Sequence, residues 1–224
     1  MRPLHEDVLT LPSFVSMPLM KLPVTSVALR TSRGVVLVSP GKNIPEQAGT
    51  LSSFGRVTDI VAPNLLHHAS IHLAQKTFPE ATLWGVEGFQ KKRQDVAWDK
   101  ILDAKSWSYS DEIRAFPLAG APKINECVFL HLKSKTLVVT DLFFNLVDAK
   151  GIGAWMILNM FGTYRRFGIS SFYLRYVKDK AAFKNSLKII AACDFESIVV
   201  THGEPVTENA KAAFTSALKE RDLL

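Results

Sequence analysis

Three apolar runs in this chain end at titratable residues whose types suit the coordination of a metal ion. Ile198-Val199-Val200 stops at Thr201-His202-Gly203-Glu204-Pro205. Asp59-Ile60-Val61-Ala62 ends at Pro63-Asn64 and leads to His67 and His68, and Thr136-Leu137-Val138-Val139-Thr140 ends at Asp141. A short β-branched run reads as a strand covered on both faces, and a side chain at its end can point into a cleft while the strand holds its backbone. Imidazoles with a carboxylate form a donor set for zinc, iron or manganese that leaves a position for water, and an ion so held lowers the pKa of that water for hydrolysis. An adjacent His-His pair rarely delivers both rings to one point, so one of His67 and His68 is expected to face elsewhere.

Glu126, at the start of a strand, and Glu204, two residues after His202, are further candidate ligands. Each has a plainer role beside it: a salt-bridged strand end for Glu126, and an acid at a helix entry for Glu204. His72, four residues after His68, is expected to be partly buried on a helix, and His131, between Leu130 and Leu132, reads as a hydrogen-bonded core histidine. Ser39, Ser134 and Thr140 carry no local nucleophile signature.

The elements that must position these residues follow from pattern and punctuation. Val8 to Leu11 and Val24 to Leu29 are expected strands with Pro12 and Pro23 as breaks, and Arg33-Gly34 turns the chain into Val35 to Val38, an antiparallel start. Pro45 to Phe54 is an expected helix with Asn43 as cap and Gly55 as stop. The strand Asp59 to Ala62, a helix from His67 to Phe78 and the strand Thr82 to Trp84 make a β-α-β unit. Residues 85–107 are polar and weakly patterned, with a surface helix or two. Ile113 to Leu118 is a strand, and Cys127 to Leu132 with Thr136 to Thr140 is a second hairpin. Helices at Ala181 to Ala192 and Glu208 to Lys219 flank the Ile198 strand. This order suits an α/β (α+β) protein with two sheets and helices outside them, a four-layer αββα sandwich, which periodicity alone does not separate from an open α/β sheet. An aromatic-rich insertion at about 142–176, interrupted by glycines, reads either as a lid or wall over an apolar substrate pocket or as core or a dimer interface.

With 224 residues, 47% of them apolar and 21% charged, the chain is expected to be a single domain over residues 1–224. Its net charge of +6 is spread thinly, with Lys91-Lys92-Arg93 and Arg165-Arg166 as small clusters that do not alternate with aromatics, so no nucleic acid is expected as partner. Cys127 and Cys193 lie far apart in no metal spacing, as in a reducing compartment, with one disulfide as the alternative. The N-terminal residues lack a signal-peptide core, and the apolar run Ile152 to Phe161 is about half of what crosses a bilayer, so a cytoplasmic protein without a membrane span is expected.

The order of these motifs resembles the metallo-β-lactamase superfamily, and more closely an uncharacterised bacterial branch of it with a degenerate metal-binding motif. The resemblance rests on Ala62-Pro63-Asn64 with His67-His68, Phe78-Pro79-Glu80-Ala81, Glu126-Cys127-Val128-Phe129-Leu130-His131, Ser134-Lys135-Thr136-Leu137, Thr140-Asp141-Leu142-Phe143-Phe144-Asn145 and His202-Gly203-Glu204-Pro205. The superfamily's T-H-x-H-x-D-H motif falls on Asn64-Leu65-Leu66-His67-His68-Ala69-Ser70, where His67 keeps a ligand identity and Leu65, Ala69 and Ser70 replace three others. The histidine of its P-G-H-T turn should fall near Gly120-Ala121-Pro122-Lys123, and none is there. Asp141 matches the carboxylate that bridges two metals, and His202 the final ligand.

What the resemblance implies is therefore a metal-dependent hydrolase with a reduced, one-metal site. Its ligands are drawn from His67, His68, Asp141 and His202, with Glu126 and Glu204 as additional ones, and Asp141 and His202 are the catalytic residues. It would hold one Zn, Fe or Mn ion and act on an ester, thioester, lactone or phosphoester of a small molecule with an apolar group; a homodimer fits the aromatic insertion. The lost ligands give the alternative: a metal-free binding or interaction module on the same fold.

Overall fold

The computed structural model describes residues 2–17, 19–103 and 106–224. Its first sheet begins as the expected antiparallel meander, β1 (Arg2–His5), β2 (Val8–Met17), β3 (Met20–Thr31) and β4 (Gly34–Val38). It continues in parallel through β5 (Val57–Ala62), β6 (Thr82–Val86) and β7 (Lys100–Leu102), with helices α1 (Ile44–Phe54), α2 (Ile71–Thr77) and α3 (Phe89–Lys92) in the connections. The strands lie side by side in chain order, β1 to β7. The second sheet holds β8 (Ile113–Pro117), β9 (Cys127–His131) and β10 (Thr136–Asn145), all antiparallel, and β12 (Ser197–Gly203) running parallel to β10. Between β10 and β12 come α4 (Ile152–Phe161), the two-residue β11 (Phe167–Gly168) paired to the far end of β10, α5 (Ser171–Leu174) and α6 (Lys180–Ala192). Helix α7 (Ala210–Lys219) follows β12.

The second sheet shows why both faces of its strands had to be apolar. Phe129, Val138 and Val199 join the core shared with the first sheet, while their neighbours Val128, Leu130, Leu137, Val139, Ile198 and Val200 pack with Phe183, Leu187, Ile190 and Phe214 of α6 and α7. Alternate side chains of a strand point to opposite faces, so a run without polar interruption is covered twice. Ile44 and Leu51 of α1 and Ile71 and Ala74 of α2 cover the first sheet. The layering is αββα, as expected.

Four local readings change. Pro12 and Pro23 do not break their strands; they lie inside one long hairpin, where Pro12 pairs with Thr25 and Pro23 with Phe14. In an antiparallel strand the N–H and C=O of one residue point to the same side. The carbonyl of Pro12 accepts from Gln47 Nε2 at 3.4 Å and that of Pro23 faces His202 Nδ1 at 2.9 Å, so each proline turns its missing donor away from the hairpin ladder. Helix α2 starts at Ile71, not at His67, because Asn64 Oδ1 accepts from the backbone N–H of Leu66 (2.8 Å) and His67 (2.9 Å), a side-chain turn that competes with helix. Asp141 sits inside β10, which runs on to Asn145 because Leu142 and Phe143 are as fully buried as the residues before them. His202 likewise lies within β12. Both cysteines are free, and no helix among the described residues is long and apolar enough to cross a membrane.

Candidate metal centre

His67, Asp141 and His202 come from three separate stretches and meet at one point. The loop after β5 brings His67, and β12 brings His202. Asp141 arrives through an irregularity: Val139 pairs with Val200 and Phe144 with His202, so β10 advances five residues where β12 advances two, and Thr140 to Phe143 bow out of the ladder. His67 Nε2 lies 3.2 Å from Asp141 Oδ2, His202 Nε2 lies 3.2 Å from Asp141 Oδ1, and the two Nε2 atoms are 3.2 Å apart.

The protons at this point can be accounted for atom by atom. The carbonyl of Pro23 only accepts, so His202 Nδ1 carries its hydrogen, and Nε2 of the neutral ring is a bare lone pair. That lone pair faces a carboxylate oxygen and a second imidazole nitrogen. When Ser39 Oγ accepts from His67 Nδ1, His67 Nε2 is also a lone pair and the acceptors repel unless a proton or a metal cation lies among them; when the Ser39 hydroxyl donates instead, His67 Nε2 carries the hydrogen and donates to Asp141. Burial opposes the charge on both Asp141 and His202. The neighbouring imidazoles nevertheless hold Asp141 well below the usual carboxylate range, and the bond and charge of Asp141, with Pro23 behind, raise His202. The two Nε2 atoms are 3.2 Å apart, near the edge of about 3.3 Å expected for a tetrahedron with bonds of about 2.0 Å, and one ligand atom from each of the three residues lies within 4.8 Å of the others, so this donor set could hold a divalent ion.

A shell of fixed groups orients the three. Ser39 Oγ lies 2.7 Å from His67 Nδ1, and Ser39 itself has φ of 54°, a left-handed conformation that a serine adopts only under constraint. Asn64 Nδ2 donates to Asp141 Oδ2 (2.7 Å) and Thr140 Oγ1 (2.9 Å), tying the His67 loop to β10. The ring of Phe144 stacks on that of His202, with centroids 4.9 Å apart and planes at 14°. Ser39, Asn64 and the carbonyl of Pro23 were not singled out as site residues in the sequence. Only Asn64, directly after a strand-ending proline, carries a local signal, that of a side-chain turn.

The remaining candidates lie around this group, not in it. His68 turns away: Arg93 donates to its Nδ1 at 2.8 Å, and its ring meets Phe89 edge-on, although the residue still borders the cleft. Burial and the nearby charges of Lys92 and Arg93 lower its pKa. Glu126 is wholly buried behind Asp141 and accepts from the backbone N–H of Thr140 (2.8 Å) and Asp141 (3.2 Å); burial and the charge of Asp141 push it up to about 7. Glu204 is exposed, and its backbone exchanges bonds with Asn145. At the three other positions that the resemblance assigns to ligands, Leu65 is buried with its carbonyl 2.5 Å from Lys92 Nζ, Ala69 is exposed and Ser70 is buried. Another acidic grouping, His5, Glu6 and Asp7, already has cations: Lys133 lies 3.2 Å from Glu6 and 2.6 Å from Asp7, and Arg30 lies 3.5 Å from Asp7.

A cleft of about 590 Å³ opens over the group. Ser39, His67, Asp141 and His202 border it together with the apolar side chains of Phe14, Val15 and Leu22 from the β2–β3 hairpin and Leu66 and Leu73 from the α2 side.

No family model and no curated protein matches the sequence. Solved structures do match the fold. A metallo-β-lactamase from Pontibacter korlensis superposes with a TM-score of 0.66 at 12% identity, covering 97% of this chain and 97% of its own. One from Erythrobacter litoralis, with β-mercaptoethanol in its active site, gives 0.64 at 15% identity over 98% and 95% of the two chains. One from Hirschia baltica gives 0.66 at 8% identity over 97% and 95%. The chain therefore has the metallo-β-lactamase fold along nearly its whole length.

Proposed function

We propose that the protein is a metal-dependent hydrolase of the metallo-β-lactamase superfamily that works with one divalent ion, Zn, Fe or Mn, held by His67, Asp141 and His202. The observation that carries this reading is the convergence of His67, Asp141 and His202, one ligand atom of each within 4.8 Å of the others and the two Nε2 atoms 3.2 Å apart, with His202 Nδ1 already committed to Pro23 and His67 Nδ1 beside Ser39. An ion bound there supplies Lewis acidity toward a carbonyl or phosphoryl oxygen and lowers the pKa of water at the same point. The chain does the positioning: Ser39 and Pro23 fix the two rings, and Asn64 fixes the carboxylate. Phe14, Val15, Leu22, Leu66 and Leu73 favour a small molecule with an apolar group beside an ester, thioester, lactone or phosphoester.

Protein purified without chelator or nickel resin is expected to carry one equivalent of Zn, Fe or Mn and to lose it in His202→Ala. A panel of nitrophenyl esters, thioesters, lactones and phosphodiesters then reads activity against metal content. The second reading, a metal-free binding module, is favoured by Leu65, Ala69 and Ser70 at ligand positions and by the ability of a protonated His202 to satisfy Asp141 alone. Protein without metal, whose melting temperature does not move when Zn, Fe or Mn is added, would decide for that module.

A further inference from the structure

Helix α4 is apolar on both sides. Ala154 and Leu158 pack beneath it against Met20, Leu22 and Phe144. Its other face carries Ile152, Trp155, Met156 and Met160, exposed by 86%, 56%, 49% and 61% at spacings that put them on one side. The strip continues past both ends of the helix. Gly153 is pressed against the backbone of Leu19, which is 54% exposed beside the β2–β3 turn, so closely that any side chain there would collide with it. At the other end Ser171 Oγ donates to the carbonyl of Met160 at 3.3 Å, and exposed Phe172 meets Phe161 with ring centroids 5.5 Å apart.

Charge identifies the occupant. From Val147 to Arg175 the chain has four basic residues, Lys150, Arg165, Arg166 and Arg175, and Asp148 as its single acid; Arg166 is paired with Glu220, and Asp148 and Glu204 border the groove that Lys21 and Lys150 line, which leaves Arg165 and Arg175 with these two lysines as the basic rim. Lys150 precedes the helix and Lys21 follows Met20 in the hairpin; both are exposed, and neither is in an ion pair among the described residues. We propose that α4 and the β2–β3 turn dock this protein on the surface of an anionic phospholipid bilayer. Trp155 and its apolar neighbours enter the headgroup boundary, and Lys21, Lys150 and Arg165 meet lipid phosphates, as a tryptophan-bearing apolar face with a basic rim does. A second copy of the chain suits this face less, because a twofold contact centred on α4 sets each basic rim against its own kind. The surface stands independently of the chemistry in the cleft. The hairpin that carries Leu19 also supplies Phe14 and Val15 to that cleft, so a docked molecule keeps the cleft beside the lipid.

Flotation of the full chain with vesicles of phosphatidylglycerol in phosphatidylcholine, against phosphatidylcholine alone, tests this. Binding to the anionic vesicles is expected, weakened by salt and accompanied by a blue shift of tryptophan emission. Trp155 is the reporter, since Trp84 and Trp107 are buried and Trp98 is partly so. Trp155→Phe should lose the shift and keep flotation, and Lys150→Glu should weaken partitioning roughly tenfold. Ile152→Asp changes a residue exposed by 86%, so its melting temperature should match wild type while flotation is lost. No flotation at low ionic strength, or flotation unchanged in Ile152→Asp, overturns the proposal. A vesicle-free dimer that Ile152→Asp dissociates assigns the face to a second copy and overturns it as well.

Discussion

Asp59 on β5 and Asp141 on β10 are both buried carboxylates, exposed by 5% and 8%, and they meet opposite surroundings. Asp59 faces donors. Trp84 Nε1 donates to one oxygen at 2.7 Å and the Tyr109 hydroxyl donates to the other, with the Arg33 guanidinium 3.8 Å from the centre of the Tyr109 ring. Burial and then the bond to Asp59 push Tyr109 up to about 12, so it keeps its proton at any ordinary pH. Asp141 has one comparable donor, Asn64, and otherwise faces imidazole nitrogens. A carboxylate closed by fixed donors is part of the framework; one set against two imidazoles shares their protons or, under the proposed function, a metal ion. Burial alone does not separate the two, and the identity of the facing atoms does.

Neutralising each carboxylate in turn separates the two surroundings most directly. Asp141→Asn is expected to abolish metal uptake, with an affinity loss beyond the ~10–100-fold typical of outer-shell partners, while the melting temperature of metal-free protein changes little. Asp59→Asn should do the reverse: metal content stays, but an amide now faces a donor, which costs about 1.5–3 kcal/mol and lowers Tm by roughly 5–10 °C. If both variants lose metal, or both lose only stability, the distinction between the sites fails. Asn64→Ala should affect both quantities, because it removes a bond to Asp141 and strands the N–H groups of Leu66 and His67. A stability loss of about 2 kcal/mol in chemical denaturation, with weaker metal binding, is the expected outcome. Ser39→Ala should lower metal affinity by about tenfold in a competition titration with a chromophoric chelator and leave the fold intact.

The smallest expected effect concerns a histidine outside the cleft. His131 is buried between the sheets, with Nε2 2.9 Å from the carbonyl of Arg30 and Nδ1 2.7 Å from Ser134 Oγ. Burial lowers its pKa, so the folded protein keeps the ring neutral while the unfolded chain takes up a proton near its ordinary value of about 6.5. Stability should therefore fall as pH drops below about 6.5, and stop falling once the folded-state value is passed. Denaturation midpoints of wild type and His131→Gln across this range should diverge at neutral pH and converge in acid.

The layering was legible because it depends on uninterrupted apolar runs, such as Val35 to Val38 and Ile198 to Val200, and on amphipathic helices such as α6. The positions of His67, Asp141 and His202 beside such runs also marked them as candidates before any contact was known. The strand extents were less legible. Pro12 and Pro23 look like breaks unless one knows that their missing donors face away from the partner strand, and this depends on Gln47 and His202, far off in sequence. Which of His67 and His68 faces the cleft centre was equally hidden, since Arg93, which draws His68 aside, is 25 residues away. The strain at Ser39 has no signature in residue type at all.

The bowed stretch from Thr140 to Phe143 separates two inheritances. Core rows such as Val138 with Val199 are set before it, and the contact of Phe144 with His202 after it, so the residues between answer to no strand opposite except Thr201. These residues are held from outside the ladder instead: the buried Glu126 carboxylate accepts from the N–H groups of Thr140 and Asp141, and Leu142 and Phe143 are sunk in the core, so Asp141 is placed by a neighbouring carboxylate and by packing, not by a partner strand.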